Sequence, residues 1–239
     1  MKKKNKKMYS DQKFIVKFFK FFKQRYLDYK EFMANPDLFR EYGMTMYCGR
    51  QGDGKTTAMI EHLERLRRKY PNAIIVTNFG YKYEHMSFDS WQQLLEIRNG
   101  EKGVIFAIDE IQNEFNTNHS KAFPEDLLAE ITQQRKQRIK LLSTSQVFLR
   151  VAKPLRENTY EVVECKTLGG CWTFTKCFDA DDYNDLIDNK GNAPEAKMKL
   201  KRKYRKNFVH DKELRELFDS YAKVKRMRKL EYVRTTRIG

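Results

Sequence analysis

The feature that most constrains the fold of this chain is the run GRQGDGKT at residues 49–56. Its spacing, G-x-x-x-x-G-K-[ST], is typical of a loop whose backbone N–H groups curl around phosphate oxygens. In such a loop Lys55 can reach the terminal phosphates and Thr56 can contact a bound Mg²⁺. The loop has to follow a strand and open a helix, so it predicts an α/β fold with a nucleotide site.

The sequence on both sides of the loop fits this requirement. Residues 44–48 form a short apolar run, and residues 57–69 carry apolar side chains at helical spacing before Pro71 stops the helix. Strand, loop and helix therefore follow in the required order. The residues predicted to hold the triphosphate of ATP are Gly49, Arg50, Gln51, Gly52, Asp53, Gly54, Lys55, Thr56 and Thr57.

A second apolar run, residues 103–108, ends in two carboxylates, Asp109 and Glu110. The run predicts a strand buried on both faces, and ligands of open parallel sheets lie at the carboxyl ends of the strands. We therefore expect Asp109 to hold Mg²⁺ together with Thr56, and Glu110 to deprotonate the attacking water. This pair favours hydrolysis of the nucleotide over transfer of its phosphoryl group to a second substrate.

A third predicted strand, residues 139–145, ends in Gln146, which we expect to sense the terminal phosphate or hold the attacking water. The segment before it, residues 124–137, is predicted to be a helix. Arg135 in this helix and Arg156 beyond the strand are both candidates for a guanidinium aimed at a neighbouring subunit's phosphate. Basic residues near a helix C-terminus also satisfy the helix dipole, so a structural role is equally open for both.

The chain resembles the FtsK-HerA branch of P-loop ATPases and, within it, the zonular-occludens-toxin-like proteins of bacteriophages. The residues that carry the likeness are 49–56, 76–78, 108–112, Arg135, Gln146, Leu155 and Arg156. The resemblance implies a homo-oligomeric ring, such as a hexamer, that moves DNA in packaging, phage extrusion or conjugation. It also implies that Arg135 is the arginine finger and Gln146 the polar sensor. The chain departs from the filamentous-phage members at Ser145, where they carry Thr, and by the absence of their transmembrane helix.

The positive charge of the chain is concentrated at its two ends. The net charge is +16, and residues 1–30 contain 11 Lys or Arg and two Asp or Glu, a net of +9. Residues 197–239 contain 16 and five, a net of +11, which leaves −4 for the remaining residues. Basic ends on a nearly neutral body indicate contact with a polyanion, either DNA or an acidic membrane surface.

Aromatic residues in the N-terminal segment repeat at helical spacing between lysines and predict a basic amphipathic helix that ends near residue 39. Its apolar stripe fits packing on its own domain or on another subunit, and alternatively peripheral contact with a membrane through residues 13–29. No window approaches 18 uninterrupted apolar residues, and lysines interrupt the aromatic run too often for a signal peptide. We expect a protein of the host-cell cytoplasm that also associates with the virion.

The predicted fold class is α/β, a P-loop NTPase with a mainly parallel sheet flanked by helices, a basic helical N-terminal extension and a C-terminal hairpin and helix. The predicted domains are residues 1–40, the helical extension; 41–178, the ATPase core with a hairpin around Gly169; and 179–239, an acidic linker followed by a basic segment. A mobile loop is predicted at 113–123, a crossover helix around Trp91 to Ile97, and a helix at 214–224. The four cysteines are interpreted as small apolar residues of the core: Cys48, Cys165, Cys171 and Cys177. Cys171 and Cys177 are predicted to lie on the same face of one strand.

The sequence thus predicts an ATP-hydrolysing motor of phage or mobile-element origin that translocates DNA in genome packaging or virion assembly, with capsid or portal proteins as further partners. A membrane-associated extrusion or conjugation ATPase is the nearest alternative. A P-loop kinase of small molecules and a nucleic-acid-binding module without catalysis are the alternatives from other classes.

Overall fold

The computed structural model describes residues 10, 12–115, 125–190 and 200–218. The chain divides into two compact units, Met1–Leu38 and Phe39–Gly239. Most of the predicted loop at 113–123 and the second half of the predicted helix at 214–224 lie outside the described residues.

The first unit contains one long helix, α1 (Phe14–Ala34). It ends before residue 39, because Pro36 disfavours helical geometry at the residue before it. None of its residues is buried, and its aromatic side chains are exposed, Phe14 by 80% and Phe19 by 68%. Packing of the aromatic stripe on its own domain or on another subunit, and its contact with a membrane, stay predictions.

The described part of the second unit contains one sheet of eight strands in the order β3-β2-β4-β5-β1-β6-β7-β8. The six strands from β3 to β6 in this order are parallel, and β7 and β8 are antiparallel to their neighbours. The strands are β1 (Gly43–Cys48), β2 (Ile74–Thr77), β3 (Met86–Ser87), β4 (Val104–Ile108), β5 (Ile139–Ser145), β6 (Thr159–Leu168), β7 (Trp172–Asp179) and β8 (Arg202–Val209).

Helices cover both faces of this sheet. They are α2 (Lys55–Lys69), α3 (Gln93–Glu96), α4 (Glu125–Thr132), α5 (Gln134–Gln137), α6 (Lys153–Glu157), α7 (Ala180–Lys190) and α8 (Lys212–Arg215). On one face α2 buries Met59, Ile60 and Leu63, and on the other face Leu127 of α4 and Tyr183 of α7 are buried. The central strand β4 is buried at all five positions, which explains its uninterrupted apolar run.

Two predicted helices are shorter than expected. The crossover helix is reduced to the four residues of α3, so Trp91 and Ile97 lie outside it. The predicted helix at 124–137 is divided between α4 and α5, because Gln133 leaves helical geometry with φ −103° and ψ 10°. Both differences lie in the connections that lead into the parallel strands β4 and β5.

The acidic segment predicted as a linker begins instead with helix α7. Its buried residues Ala180, Tyr183 and Ile187 follow helical spacing and pack into the core. The helical spacing of these three residues is hard to recognise in the sequence, because Asp and Asn occupy most of the positions between them.

The basic C-terminal run is part of the core sheet, which corrects the prediction of a basic segment outside the ATPase core. Residues 202–209 form β8, the edge strand of the same sheet. Within it Lys203 lies 3.2 Å from Glu161 and 3.8 Å from Asp179, so part of its charge is neutralised by the core.

The cysteines differ in their surroundings. Cys48, Cys165 and Cys177 are buried, but Cys171 is exposed in the turn before β7, so the prediction that it shares a strand face with Cys177 is wrong. Burial raises the pKa of Cys165, and it raises the pKa of Cys177 to about 11, which keeps both thiols protonated.

In the part of the chain that the structure describes, none of the helices has both the length and the apolar composition of a membrane-spanning segment.

Candidate active site

The loop between β1 and α2 has the backbone geometry of a phosphate-binding loop. Gly52 and Gly54 have φ values of +84° and +76°, in the left-handed region that glycine adopts without strain. At Gly54 a side chain would also collide, because its Cβ would lie 2.4 Å from the hydroxyl oxygens of both Thr167 and Thr173. This position therefore requires glycine for two independent reasons.

Lys55 begins α2 and lies against the loop. Its side chain is only 6% exposed, and its Nζ donates a hydrogen bond to the carbonyl of Arg50 at 3.1 Å. The same Nζ lies 4.0 Å from Oε1 of Glu110. The ammonium is thus held between the loop and the end of β4, where a terminal phosphate would meet it.

Thr56 and Asp109 meet as the sequence predicts. The Thr56 Oγ1 donates to Oδ1 of Asp109 at 2.8 Å, across 53 positions of sequence. A hydroxyl and a carboxylate are hard oxygen donors, and Mg²⁺ in nucleotide sites usually takes one or two carboxylates, phosphate oxygens and water. The pair therefore fits the metal that Mg-ATP requires.

Thr144 and Asn78, for which the sequence predicted no role, hold Asp109 and Glu110 in place. Thr144 of β5 donates from Oγ1 to Oδ1 of Asp109 at 2.7 Å and accepts a hydrogen bond from the backbone N–H of Glu110 at 2.8 Å. Asn78 brackets the backbone of Asp109, with contacts of 2.7 Å and 3.0 Å. The signal for Thr144 was present in the sequence, since three consecutive hydroxyl residues, Ser143 to Ser145, end the strand.

Glu110 adopts a conformation that is rare for its residue type, with φ +54° and ψ +56°. Such a left-handed residue costs roughly 1–2 kcal/mol and is characteristic of functional sites. Gln112 donates to one oxygen of its carboxylate, and Gln146 donates to the other at 3.4 Å. The side chains of Lys55, Glu110 and Gln146 therefore converge at the carboxyl edge of the sheet.

Arg135 lies elsewhere. It is exposed on α5, just before β5 begins, and its guanidinium carbon is 5.5 Å from the ring centre of Tyr42. Both residues belong to the amino edge of the sheet, opposite the edge where β1 and β4 end. Arg135 consequently fits an arginine finger only if it serves the site of another subunit.

Arg156 occupies a structural position. It is 8% exposed, and its Nη1 lies 3.4 Å from Asn184 Oδ1 and 3.5 Å from Asp188 Oδ1. These contacts join α6 to α7 inside the subunit. Its side chain is thus already engaged, which leaves Arg135 as the better candidate for a finger.

The hairpin of β6 and β7 packs against the phosphate-binding loop, which the sequence did not indicate. Lys166 lies 3.4 Å from Asp53, and the hydroxyls of Thr167 and Thr173 hydrogen-bond to each other at 2.6 Å. Thr173 also contacts Nε2 of His210 at 2.6 Å. Burial and, second, the charge of Arg215 lower the pKa of His210, which favours a neutral ring at pH 7.

Comparison with known proteins identifies the fold. No protein-family model and no curated protein sequence matches the chain. The N-terminal domain of zonular occludens toxin from Neisseria meningitidis matches with a TM-score of 0.54 and 16% identity, over 74% of this chain and 99% of that chain. The genome packaging NTPase B204 from Sulfolobus turreted icosahedral virus 2, in complex with ATP-gammaS, matches with a TM-score of 0.47 and 13% identity, over 71% and 97%.

At this identity the first match shows the fold alone. Together with the mainly parallel sheet flanked by helices, it confirms the predicted P-loop NTPase fold. The placement within the FtsK-HerA branch and the catalytic roles of the named residues stay predictions.

Proposed function

We propose that this chain is a Mg²⁺-dependent ATPase that couples ATP hydrolysis to the movement of DNA, in genome packaging or virion assembly of a phage or mobile element. The observation that carries the proposal is the meeting of Lys55, the Thr56–Asp109 pair and Glu110 at one edge of the sheet. The first three residues suit Mg-ATP, and the additional carboxylate suits a base for hydrolysis.

In this proposal the loop amides and Lys55 bind the triphosphate, and Thr56 and Asp109 hold the metal. Bound Mg²⁺ neutralises negative charge on the terminal phosphates. Glu110 accepts, on its carboxylate, the proton of the water that attacks the terminal phosphorus, and Gln146 orients that water. Thr144 fixes the positions of Asp109 and Glu110, because its hydroxyl donates to the carboxylate of Asp109 and accepts from the backbone N–H of Glu110.

The DNA component rests on charge and on the motif resemblance. Both ends of the chain are strongly basic around a body whose net charge is slightly negative. Such a charge distribution suits a backbone-binding protein that reads no base sequence. We further propose a ring of identical subunits, capsid or portal proteins as partners, and a location in the host cytoplasm and at the virion.

Steady-state ATP hydrolysis with and without DNA tests this function. We expect turnover that requires Mg²⁺ and increases when duplex or single-stranded DNA is added, with Lys55→Ala protein as the blank. Phosphate transfer to a small molecule without any response to DNA would indicate a kinase. Absence of turnover under all conditions would indicate a binding module and would overturn the proposal.

A membrane-associated role is the second candidate, and the exposed stripe of α1 favours it. Phe18 and Phe22 lie on the centre of that stripe, with ring centres 4.8 Å apart and exposures of 49% and 54%. The lysines along the helix suit anionic headgroups. We expect the protein to float with vesicles that contain anionic lipid and much less with neutral vesicles.

Replacing both Phe18 and Phe22 by Gln should then lower the bound fraction by about tenfold or more, because two aromatic side chains no longer enter the interface. Tyr160→Gln, which alters an exposed aromatic outside the helix, is the matched control. Equal flotation of all three proteins would remove the membrane role from α1.

A further inference from the structure

The strands β6, β7 and β8 present a second face, away from α2, that is largely exposed near the carboxyl edge. Cross-strand pairing places Leu168, Trp172 and Val209 in one row of this face, and Phe174 and Asn207 lie in the next. The first three are 54%, 45% and 57% exposed. The rings of Trp172 and Phe174 lie 4.7 Å apart with an interplanar angle of 41°. We call the positions on this side of the three strands the outer face.

The outer face also carries positive charge. Lys166 lies beside Phe174, and the exposed side chains of Lys176 and Arg205 form the row below. Glu164 completes that row, and one of its carboxylate oxygens accepts a hydrogen bond from the hydroxyl of Tyr183 at 2.9 Å. Three cations and one hydrogen-bonded carboxylate thus surround two aromatic rings.

An exposed aromatic ring next to a half-buried one, with cations beside them, suits one class of ligand. A protein partner would cover the rings with apolar side chains and would have to match the positive charges of Lys176 and Arg205. Unpaired bases stack on aromatic side chains while the phosphates of the same strand contact Lys and Arg, and such contacts do not depend on base sequence. The bases of a duplex are already stacked and cannot use the rings in this way.

The reverse side of the same strands contacts the nucleotide loop. Thr167 and Thr173 on this side lie directly over Gly54. The ammonium of Lys166, a residue of the outer face, also lies 3.4 Å from Asp53 of the loop. A shift of β6 and β7 caused by a ligand on the outer face would therefore move the side chains that contact the loop.

We propose that the outer face of β6, β7 and β8 is a binding platform for single-stranded DNA, on which bases stack against Trp172 and Phe174 and phosphates contact Lys176 and Arg205. This inference rests on the proposed function for the choice of DNA as the ligand. Direct contact between these strands and the loop then links occupancy of the platform to nucleotide turnover.

Tryptophan fluorescence provides a direct test, since the chain has two tryptophans, Trp91 and Trp172. In the full-length Trp91→Phe protein the remaining emission comes from Trp172. Titration with a dT oligonucleotide should quench this emission, whereas a duplex of equal length should quench it much less. Binding of the oligonucleotide, measured by anisotropy, without any quenching would place the DNA elsewhere and overturn the proposal, as would absence of binding.

Substitutions separate stacking from charge. Trp172→Ala should weaken binding of the oligonucleotide by roughly tenfold or more, and Trp172→Phe should retain most of the affinity. Replacing Lys176 and Arg205 together by Gln should reduce the slope of log affinity against log salt by about 1.4, as expected for two lost phosphate contacts with a single strand. In the matched control, Lys102 and Lys136, which are exposed at the amino edge of the sheet, are both replaced by Gln. This double substitution should leave the slope unchanged.

Two further outcomes distinguish the platform from the proposed function. ATP turnover without DNA should be the same in Trp172→Ala and parental protein, while stimulation by single-stranded DNA should be lost. If the parental protein binds the oligonucleotide through Trp172 but hydrolyses no ATP, the proposed function fails and the platform stands. If Trp172→Ala alters the oligomeric state and leaves DNA affinity unchanged, the outer face is a protein interface and the platform is wrong.

Discussion

Glu110→Gln protein is expected to bind ATP as well as the parental protein and to hydrolyse it about 10²- to 10⁴-fold more slowly, the range for loss of a general base. Glutamine keeps the shape of the side chain, so the loop and Lys55 can still bind the triphosphate. It cannot accept the proton of the attacking water. The protein should therefore accumulate with ATP bound, which equilibrium binding of a labelled nucleotide and single-turnover hydrolysis would measure separately.

Lys55→Ala gives the opposite pattern, because it removes the charge that faces the terminal phosphates and so abolishes tight binding. Glu96→Gln is the matched control, since Glu96 is exposed on α3 and has no place in the site. Hydrolysis by Glu110→Gln protein at the parental rate would assign activation of water to a different residue and leave Glu110 as a neighbour of the site.

Arg135→Ala protein is expected to lose turnover when alone and to regain part of it when mixed with Glu110→Gln protein. Arg135 lies at the amino edge of the sheet and cannot serve the loop of its own subunit, so it would act on a neighbour. In a mixed ring some interfaces combine an intact Glu110 with an intact Arg135. An arginine finger contributes about 10³ to 10⁵ in rate, so a small fraction of repaired interfaces is measurable.

Two controls make this complementation specific. Lys136→Ala removes the adjacent exposed cation and should leave turnover near the parental value. Arg156→Ala should instead lower the thermal stability, because it breaks the contacts between α6 and α7, and it should not be rescued by mixing. Failure of rescue under conditions in which mixed oligomers are shown to form would exclude Arg135 as the finger.

The nucleotide loop and the acidic strand end were predictable because their requirements are local. Gly52 and Gly54 indicate a left-handed backbone at their positions, and the apolar run of β4 indicates a strand that is buried on both faces. Parallel strands place their carboxyl ends at one edge, so the contact between Thr56 and Asp109 could be inferred before the fold was known.

Other parts of the site depend on pairing between distant strands, which no local pattern encodes. The hydroxyl of Thr144 meets Asp109 and Glu110 only because β5 lies beside β4. The contact of Thr167 with the loop arises because β6 pairs with β1 and extends beyond its end. The sequence predicted the hairpin of β6 and β7, but it did not indicate that the hairpin packs against the phosphate-binding loop.

What the sequence by itself determined is the chemistry of the nucleotide site, because glycine, lysine, hydroxyl and carboxylate at fixed spacing leave few other arrangements of strand, loop and helix. The tertiary structure decided how that chemistry is supported. Packing buries Arg156 and leaves Arg135 at the opposite edge of the sheet. Strand pairing places Leu168 of β6 and Val209 of β8 beside Trp172 of β7, since cross-strand neighbours are set by register and not by nearness in sequence.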